Sequence, residues 1–145
     1  MTKAAMEHLV PFVGEWRIEA FGETGRSVFE WALDGQFLVQ RTEVEHPDAP
    51  NSMSIVASDP GGDGYTQHYF DSRGVVRLYS MSFVDGVWML VRERIRESAD
   101  FSSLDFGQRY TGIFSSDGRT IRGAWEIAHG STWEKDFDLT YIRTD

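Results

Sequence analysis

Three polar side chains in successive predicted strands could form one binding or catalytic group: His68, Tyr79 and Arg92. Each belongs to a run of alternating polar and apolar residues, and such runs predict β-strands whose successive side chains point to opposite faces. A two-residue turn at Arg73-Gly74 would pair His68 with Tyr79. A similar turn at Asp85-Gly86 would pair Tyr79 with Arg92. Because cross-strand partners share a face, the imidazole, the phenol and the guanidinium would then lie side by side.

This predicted cluster has the chemistry of an anion site. A guanidinium enclosed by protein must be paired, hydrated or given an anion, and Arg92 with the two neighbouring groups could hold a carboxylate or a similar acceptor. Further predicted inward residues would complete a polar and aromatic pocket: Gln40, Tyr110, Trp88 and Trp125. The sequence therefore predicts a small-molecule site for a ligand with an apolar body and an acidic group. The alternatives are a hydrated polar core without a ligand, or an Arg92 that reaches solvent at a rim.

Strands must position these side chains, because no helical period persists beyond a short amphipathic start that ends near Pro11. Turn dipeptides containing glycine separate the apolar runs. The predicted strands are 14–21, 27–33, 36–46, 52–58, 64–71, 74–83, 87–97, 107–115, 119–127 and 132–142. We expect an all-β fold, a single antiparallel up-and-down barrel of about ten strands with a short N-terminal helix, as one domain over residues 1–145.

The turns also predict which residues face each other across the strands. The predicted pairs are Trp31 with Leu38, Phe83 with Trp88, Phe70 with Arg77, Tyr110 with Trp125, and Ile127 with Trp133. The face that carries most aromatic side chains is taken as the inside of the barrel. On strand 87–97 this places Val87, Met89 and Val91 outside, where they could form a homodimer contact.

The net charge of −9, from 23 acidic and 14 basic residues, disfavours binding to nucleic acid or to an anionic membrane surface. The chain has no cysteine, which excludes disulfides, thiolate chemistry and cysteine-ligated metal. No apolar run approaches the roughly 20 residues that span a bilayer, and residues 1–10 lack the apolar core of a signal peptide. We therefore expect a cytoplasmic protein whose partner is a small molecule.

Histidine is the remaining source of catalytic or metal chemistry. None of the four histidines lies at ligand spacing from another, so no metal site is predicted. His68 and Tyr79 could act as general base and acid in an isomerase or hydrolase-like reaction, and this is the alternative to a binding function. The chain has neither a Gly-x-Ser-x-Gly motif nor a phosphate loop, so binding is favoured over catalysis.

The segment Gly14-Glu15-Trp16, just after the predicted helix, resembles the Gly-x-Trp start of lipocalins and other calycins. In lipocalins an arginine of the last strand covers this tryptophan, which implies that role for Arg143. The strand number is more similar to fatty-acid-binding proteins and nitrobindin-type barrels. The chain also resembles an uncharacterised bacterial family of this shape over 29–31, 68–74 and 132–137.

The nitrobindin resemblance implies haem as an alternative ligand, with His68 as its axial residue. This chain departs from the nitrobindin pattern after Trp16, where Ile18 and Ala20 stand in place of glycines. The sequence therefore predicts a barrel without a cofactor, and haem stays the alternative.

Overall fold

The computed structural model describes residues 2–59, 64–92, 107–129 and 131–145. The chain begins with an α-helix, α1 (Thr2–Glu7), and a 3-10 helix, Val10–Phe12. Pro11 lies in the first turn of the 3-10 helix, where its missing N–H leaves no backbone partner unsatisfied. Among the helices in these ranges, none combines the length and apolar character needed to cross a membrane.

Within the described ranges, ten strands follow the helical segment. They are β1 (Gly14–Ala20), β2 (Glu23–Ala32), β3 (Phe37–Val44), β4 (Ser52–Ser58), β5 (Tyr65–Asp71), β6 (Val76–Val84), β7 (Val87–Arg92), β8 (Gln108–Phe114), β9 (Thr120–His129) and β10 (Thr132–Arg143). Each strand pairs antiparallel with its neighbours in the chain, and β1 pairs with β10 to close the sheet. The predicted fold, a closed up-and-down barrel of ten strands with a short N-terminal helix, is confirmed.

Three of the predicted registers are confirmed, and each belongs to a hairpin with an Asp-Gly turn. The observed pairs are Trp31 with Leu38, Phe83 with Trp88, and Tyr110 with Trp125. Each of these turns places a glycine at positive φ, which glycine adopts without steric cost. The predicted extension of β7 to residue 97 lies outside the described residues.

The predicted register between β5 and β6 is wrong by one residue. The turn has three residues, because the N–H of Asp71 donates to the carbonyl of Val75 (3.1 Å) and Gly74 takes a φ of 82°. Phe70 therefore lies opposite Val76 rather than Arg77. A slip of one residue moves every side chain of a strand to the opposite face, so the predicted inner and outer faces of β5 are exchanged.

The last hairpin also differs from the prediction. Trp133 lies opposite Ala128 rather than Ile127, and a β-bulge between Lys135 and Phe137 then shifts the register again. A bulge leaves no period-two signature in the sequence, since it interrupts the alternation for a single residue.

The first hairpin is longer than predicted, because β2 begins at Glu23 rather than at residue 27. Its turn is Phe21-Gly22, with φ angles of 55° and 72°, and Ala20 pairs with Glu23. Asn or Asp normally occupies the first position of such a turn, so no turn dipeptide marks this one.

The N-terminal segment closes one end of the barrel. Met6, Leu9 and Phe12 are fully buried there. The ring of Phe12 lies 4.9 Å from Phe83 and 5.0 Å from Trp88, centroid to centroid. The other end of the barrel carries the β1–β2, β3–β4, β5–β6 and β9–β10 connections.

Arg143 fastens this closed end in the way that the calycin resemblance implies. Its guanidinium lies 4.2 Å over the ring of Trp16, and its two terminal nitrogens donate to the carbonyls of Val13 (2.8 Å) and Pro11 (2.6 Å). The indole N–H of Trp16 donates to the carbonyl of Phe12 (2.9 Å). The closed barrel and this cap are compatible with a calycin-like fold.

Candidate functional site

Six of the seven predicted site residues have side chains on the inner face of the barrel. They are Gln40, Tyr79, Trp88, Arg92, Tyr110 and Trp125. The seventh, His68, is exposed on the outer face, opposite Ile55 and Leu78. The prediction that His68 points into the lumen is wrong, because the β5–β6 turn has three residues instead of two.

The structure does bring Tyr79 and Arg92 together. The pairing of Ser80 with Val91 places them at adjoining positions on the inner wall, where they are 3% and 6% exposed. The Tyr79 hydroxyl donates to Oε1 of Gln108 (3.0 Å). The phenol and the guanidinium of the predicted cluster therefore lie together, and the imidazole of His68 is not with them.

The three other predicted aromatic residues form a packed column of rings. The ring of Tyr110 lies 5.1 Å from Trp88 and 5.3 Å from Trp125. Trp125 also contacts Tyr79 at 5.6 Å. The Tyr110 hydroxyl donates to the carbonyl of Leu139 (3.0 Å), and burial raises the pKa of Tyr110. These residues build the wall of the lumen.

Gln40 belongs to a buried polar network. Its amide nitrogen donates to Ser27 (2.9 Å) and to the hydroxyl of Tyr141 (3.2 Å). Burial raises the pKa of Tyr141 to about 12. The amide of Gln40 is thus already engaged with protein groups.

Gln67 takes the inner position on β5 that the sequence assigned to His68. Its side chain is buried and lies opposite Tyr79. Its Oε1 has no hydrogen-bond partner among the described residues, and the same holds for the buried indole N–H of Trp88. A correct prediction of the three-residue β5–β6 turn would have placed Gln67 on the inner face.

A cavity of about 530 Å³ occupies the end of the barrel opposite the N-terminal segment. We call it the mouth cavity. Its apolar lining comes from several strands and two connections: Ile18, Ala20, Phe21, Val44, Ala49, Pro50, Phe137 and Leu139. Its polar lining includes Thr42, Ser52 and Tyr69. This mainly apolar site was not predicted, because the sequence prediction depended on clustered polar residues.

Tyr69 lines the mouth cavity from β5, and its hydroxyl donates its hydrogen bond to another side chain of the protein. Its hydroxyl donates to Asp71 (2.8 Å), which also accepts from Arg73 (2.6 Å). Burial raises the pKa of Tyr69, and the bond to Asp71 raises it further. Burial alone would raise the pKa of Asp71, but the bonds from Arg73 and Tyr69 outweigh it and lower this pKa to about 2.

Charge is distributed unevenly around the mouth of the barrel. The rim of the mouth cavity carries the carboxylates of Glu23, on β2, and Asp48, in the β3–β4 connection. On the other side of the barrel, Arg77 lies opposite Tyr69 near the start of β6, and Arg92 ends β7. A ligand in the mouth would therefore meet acidic groups on one side and basic groups on the other.

No three His, Asp or Glu residues within the described ranges are placed to hold a metal ion. Because His68 faces outward, it is not placed to be an axial ligand for haem inside the lumen. Val87, Met89 and Val91 alternate with the buried residues of β7 and lie on its outer side. A homodimer through this face stays a prediction.

No protein-family model matches the chain, and no curated protein matches it significantly.

Proposed function

We propose that this barrel binds a small apolar molecule with an acidic group, and that the mouth cavity holds its apolar body. The observation that carries the proposal is a cavity of about 530 Å³, mainly apolar, at the end that the N-terminal segment leaves uncovered. Small-molecule sites usually measure about 300–1,000 Å³ and combine an apolar lining with a few polar groups. The barrel and its mouth thus support a carrier or sensor function.

The charge distribution supports one orientation of the ligand. A carboxylate beside β2 and the β3–β4 connection would be repelled by Glu23 and Asp48. A carboxylate on the side of β6 and β7 would approach Arg77 and Arg92, and arginine binds carboxylates with strong, directional hydrogen bonds. The apolar body would then lie against the aliphatic residues of the mouth.

Catalysis has less support than binding. The enzyme alternative required His68 as a base in the lumen, and that side chain lies on the outer face. The Tyr69 hydroxyl donates to Asp71, and burial raises the pKa of Tyr69, which makes this phenol a poor acid or base near neutral pH. Membership of the calycins and a cytoplasmic site of action belong to the same proposal.

Thermal unfolding with added ligands tests the proposed function. We would use dodecanoate, below its micelle concentration, and the uncharged dodecanamide. A ligand present at 100 times its Kd stabilises the folded state by about 2.7 kcal/mol, which raises the Tm of a domain of this size by roughly 5–10 °C. We expect this rise for the acid and a smaller one for the amide.

A pair of variants locates the binding site. Leu139→Trp should fill the mouth cavity and abolish the shift, because Leu139 lines it from β10. Ile113→Trp makes the same kind of change at an exposed position on the outer wall and should leave the shift intact. If neither probe shifts the wild-type Tm, or if Leu139→Trp binds as the wild type does, the proposal is wrong.

A further inference from the structure

Phe21 is held in a strained backbone conformation at the rim of the mouth cavity. Its φ of 55° lies in the left-handed region, which side chains other than Gly, Asn and Asp rarely adopt. The turn requires this conformation, because Phe21 and Gly22 alone join β1 to β2. Asn or Gly at this position would form the same turn without the strain. The fold therefore gives no reason for a phenylalanine here.

Burial does not account for Phe21 either. Its side chain is 74% exposed, among the most exposed of the large apolar residues described. It contacts the ring of Phe137 at 4.5 Å between centroids, with an interplanar angle of 32°. Leu33 has the same exposed fraction and a similar φ, so the feature that sets Phe21 apart is that its ring lines the mouth cavity.

The ring of Phe21 is one of several flat groups that line the mouth cavity. Phe137 on β10 stands beside it, and Tyr69 on β5 and His46 in the β3–β4 connection line other parts of the cavity. Aliphatic side chains, such as those of Ile18 and Val44, line the cavity as well. A straight hydrocarbon chain would need only the aliphatic part of this lining, whereas the rings suit a partner with a π face.

We propose, on the basis of the function proposed above, that the apolar body of the ligand is a flat aromatic ring system that stacks on Phe21. The ligand class is thus an aryl-substituted carboxylic acid. Its acidic group extends from the ring system towards Arg77 and Arg92, and Phe21 sets the preference for an aromatic over an aliphatic body.

Calorimetric titration with two acids of equal carbon number tests this inference: 2-naphthylacetate and dodecanoate. We expect the wild-type protein to bind 2-naphthylacetate more tightly. Phe21→Asn should weaken the binding of 2-naphthylacetate by roughly threefold to tenfold, the range expected for one lost aromatic contact, and should change dodecanoate binding less than 2-naphthylacetate binding. The same variant should raise the Tm by roughly 2–5 °C, because Asn tolerates positive φ.

Leu33→Asn is the matched control. Leu33 is also 74% exposed and has a φ of 51°, but it lies in the β2–β3 turn at the opposite end of the barrel. We expect Leu33→Asn to raise the Tm in the same way and to leave both affinities unchanged. Stabilisation with loss of aromatic binding at Phe21, and stabilisation alone at Leu33, would support the inference.

The outcomes separate this inference from the proposed function. If the wild type binds dodecanoate at least as tightly as 2-naphthylacetate, or if Phe21→Asn weakens both acids equally, the aromatic preference is refuted and the binding function stands. If neither acid binds, both proposals are refuted.

Discussion

Replacing Arg143 with Met should weaken the closed end of the barrel selectively. The guanidinium of Arg143 bonds two backbone carbonyls of the N-terminal segment, at Val13 (2.8 Å) and Pro11 (2.6 Å). It also lies 4.2 Å over the ring of Trp16. Met preserves much of the side-chain volume but can neither donate a hydrogen bond nor carry charge, so all of these interactions are lost together.

The size of the effect follows from these contacts. A hydrogen bond from a charged donor contributes about 1.5–3 kcal/mol, and the lower value applies because the side chain of Arg143 keeps 16% of its surface exposed. A cation–π contact that is partly exposed adds about 0.5–1 kcal/mol. We therefore expect Arg143→Met to lower the free energy of unfolding by about 3.5–4 kcal/mol, which moves a urea midpoint by at least about 1 M.

Arg109→Met provides a matched control on the outer wall. Arg143 also pairs with Asp145 at 3.1 Å. Arg109 likewise combines a tryptophan contact with one carboxylate, because it lies 4.4 Å over the ring of Trp133 and pairs with Glu126 at 2.8 Å. It differs from Arg143 in having no bond to the N-terminal segment among its described contacts. An ion pair whose side chains are 31% and 28% exposed contributes little, so Arg109→Met should lower the free energy of unfolding by about 1 kcal/mol.

Urea unfolding of both variants, with hydrogen exchange of residues 5–13, measures the difference. We expect faster exchange in that segment for Arg143→Met only. Equal destabilisation by the two substitutions, or unchanged exchange at the N-terminus, would refute the view that Arg143 fastens the cap.

Two further predictions concern the wall of the barrel and its pH response. Gly123→Ala should lower the free energy of unfolding, measured by thermal unfolding, by about 2–4 kcal/mol. A Cβ there would lie 2.5 Å from Cζ of Tyr110 and 2.6 Å from the carbonyl oxygen of Thr111. A loss below about 1 kcal/mol would show that the ring of Tyr110 moves aside freely. Asp71 has a pKa of about 2 in the folded protein against its ordinary 3.8, so it stabilises the fold above about pH 4, and this contribution disappears as the pH falls towards 2. Asp71→Asn should therefore flatten the dependence of Tm on pH between about pH 4 and pH 2, and an unchanged slope would contradict the pKa assignment.

The barrel itself was predictable because its signals are local and repeated. Asp34-Gly35, Asp85-Gly86 and Asp117-Gly118 each mark a tight turn between alternating runs, and the register follows from the position of the turn. The aromatic residues then identify the inner face, since inward-facing residues alternate with outward-facing ones along every strand of a barrel.

The β5–β6 register was not predictable from the Arg73-Gly74 dipeptide alone. A glycine in this position fits the end of a two-residue turn and also the end of a three-residue turn. Asp71 decides between them, because its carboxylate accepts from the N–H of Arg73 (2.9 Å) and from that of Val75 (3.4 Å). Asp at the first and Gly at the fourth position is a type I turn signature, so the sequence does carry a signal for this turn, although a weaker one than the dipeptide.

The mouth cavity could not be predicted for a different reason. Its lining combines residues far apart in the chain, such as Ile18 on β1, Pro50 before β4 and Leu139 on β10. Few of these residues carry a reactive group, so nothing in the residue types sets them apart from the core. Only the closure of β1 on β10 brings them to one end of the barrel.

The length of the β5–β6 turn also bears on the choice between binding and catalysis. With a two-residue turn His68 would lie in the lumen beside Tyr79 and offer an imidazole, the side chain that most often serves as a general base. With the observed three-residue turn Gln67 takes that place, and its amide carries no charge at any ordinary pH. The phenols of Tyr69 and Tyr110 stay protonated because burial raises the pKa of both. The described inner wall of β5 and β8 therefore supplies hydrogen-bonding groups, and these groups support the binding function proposed above.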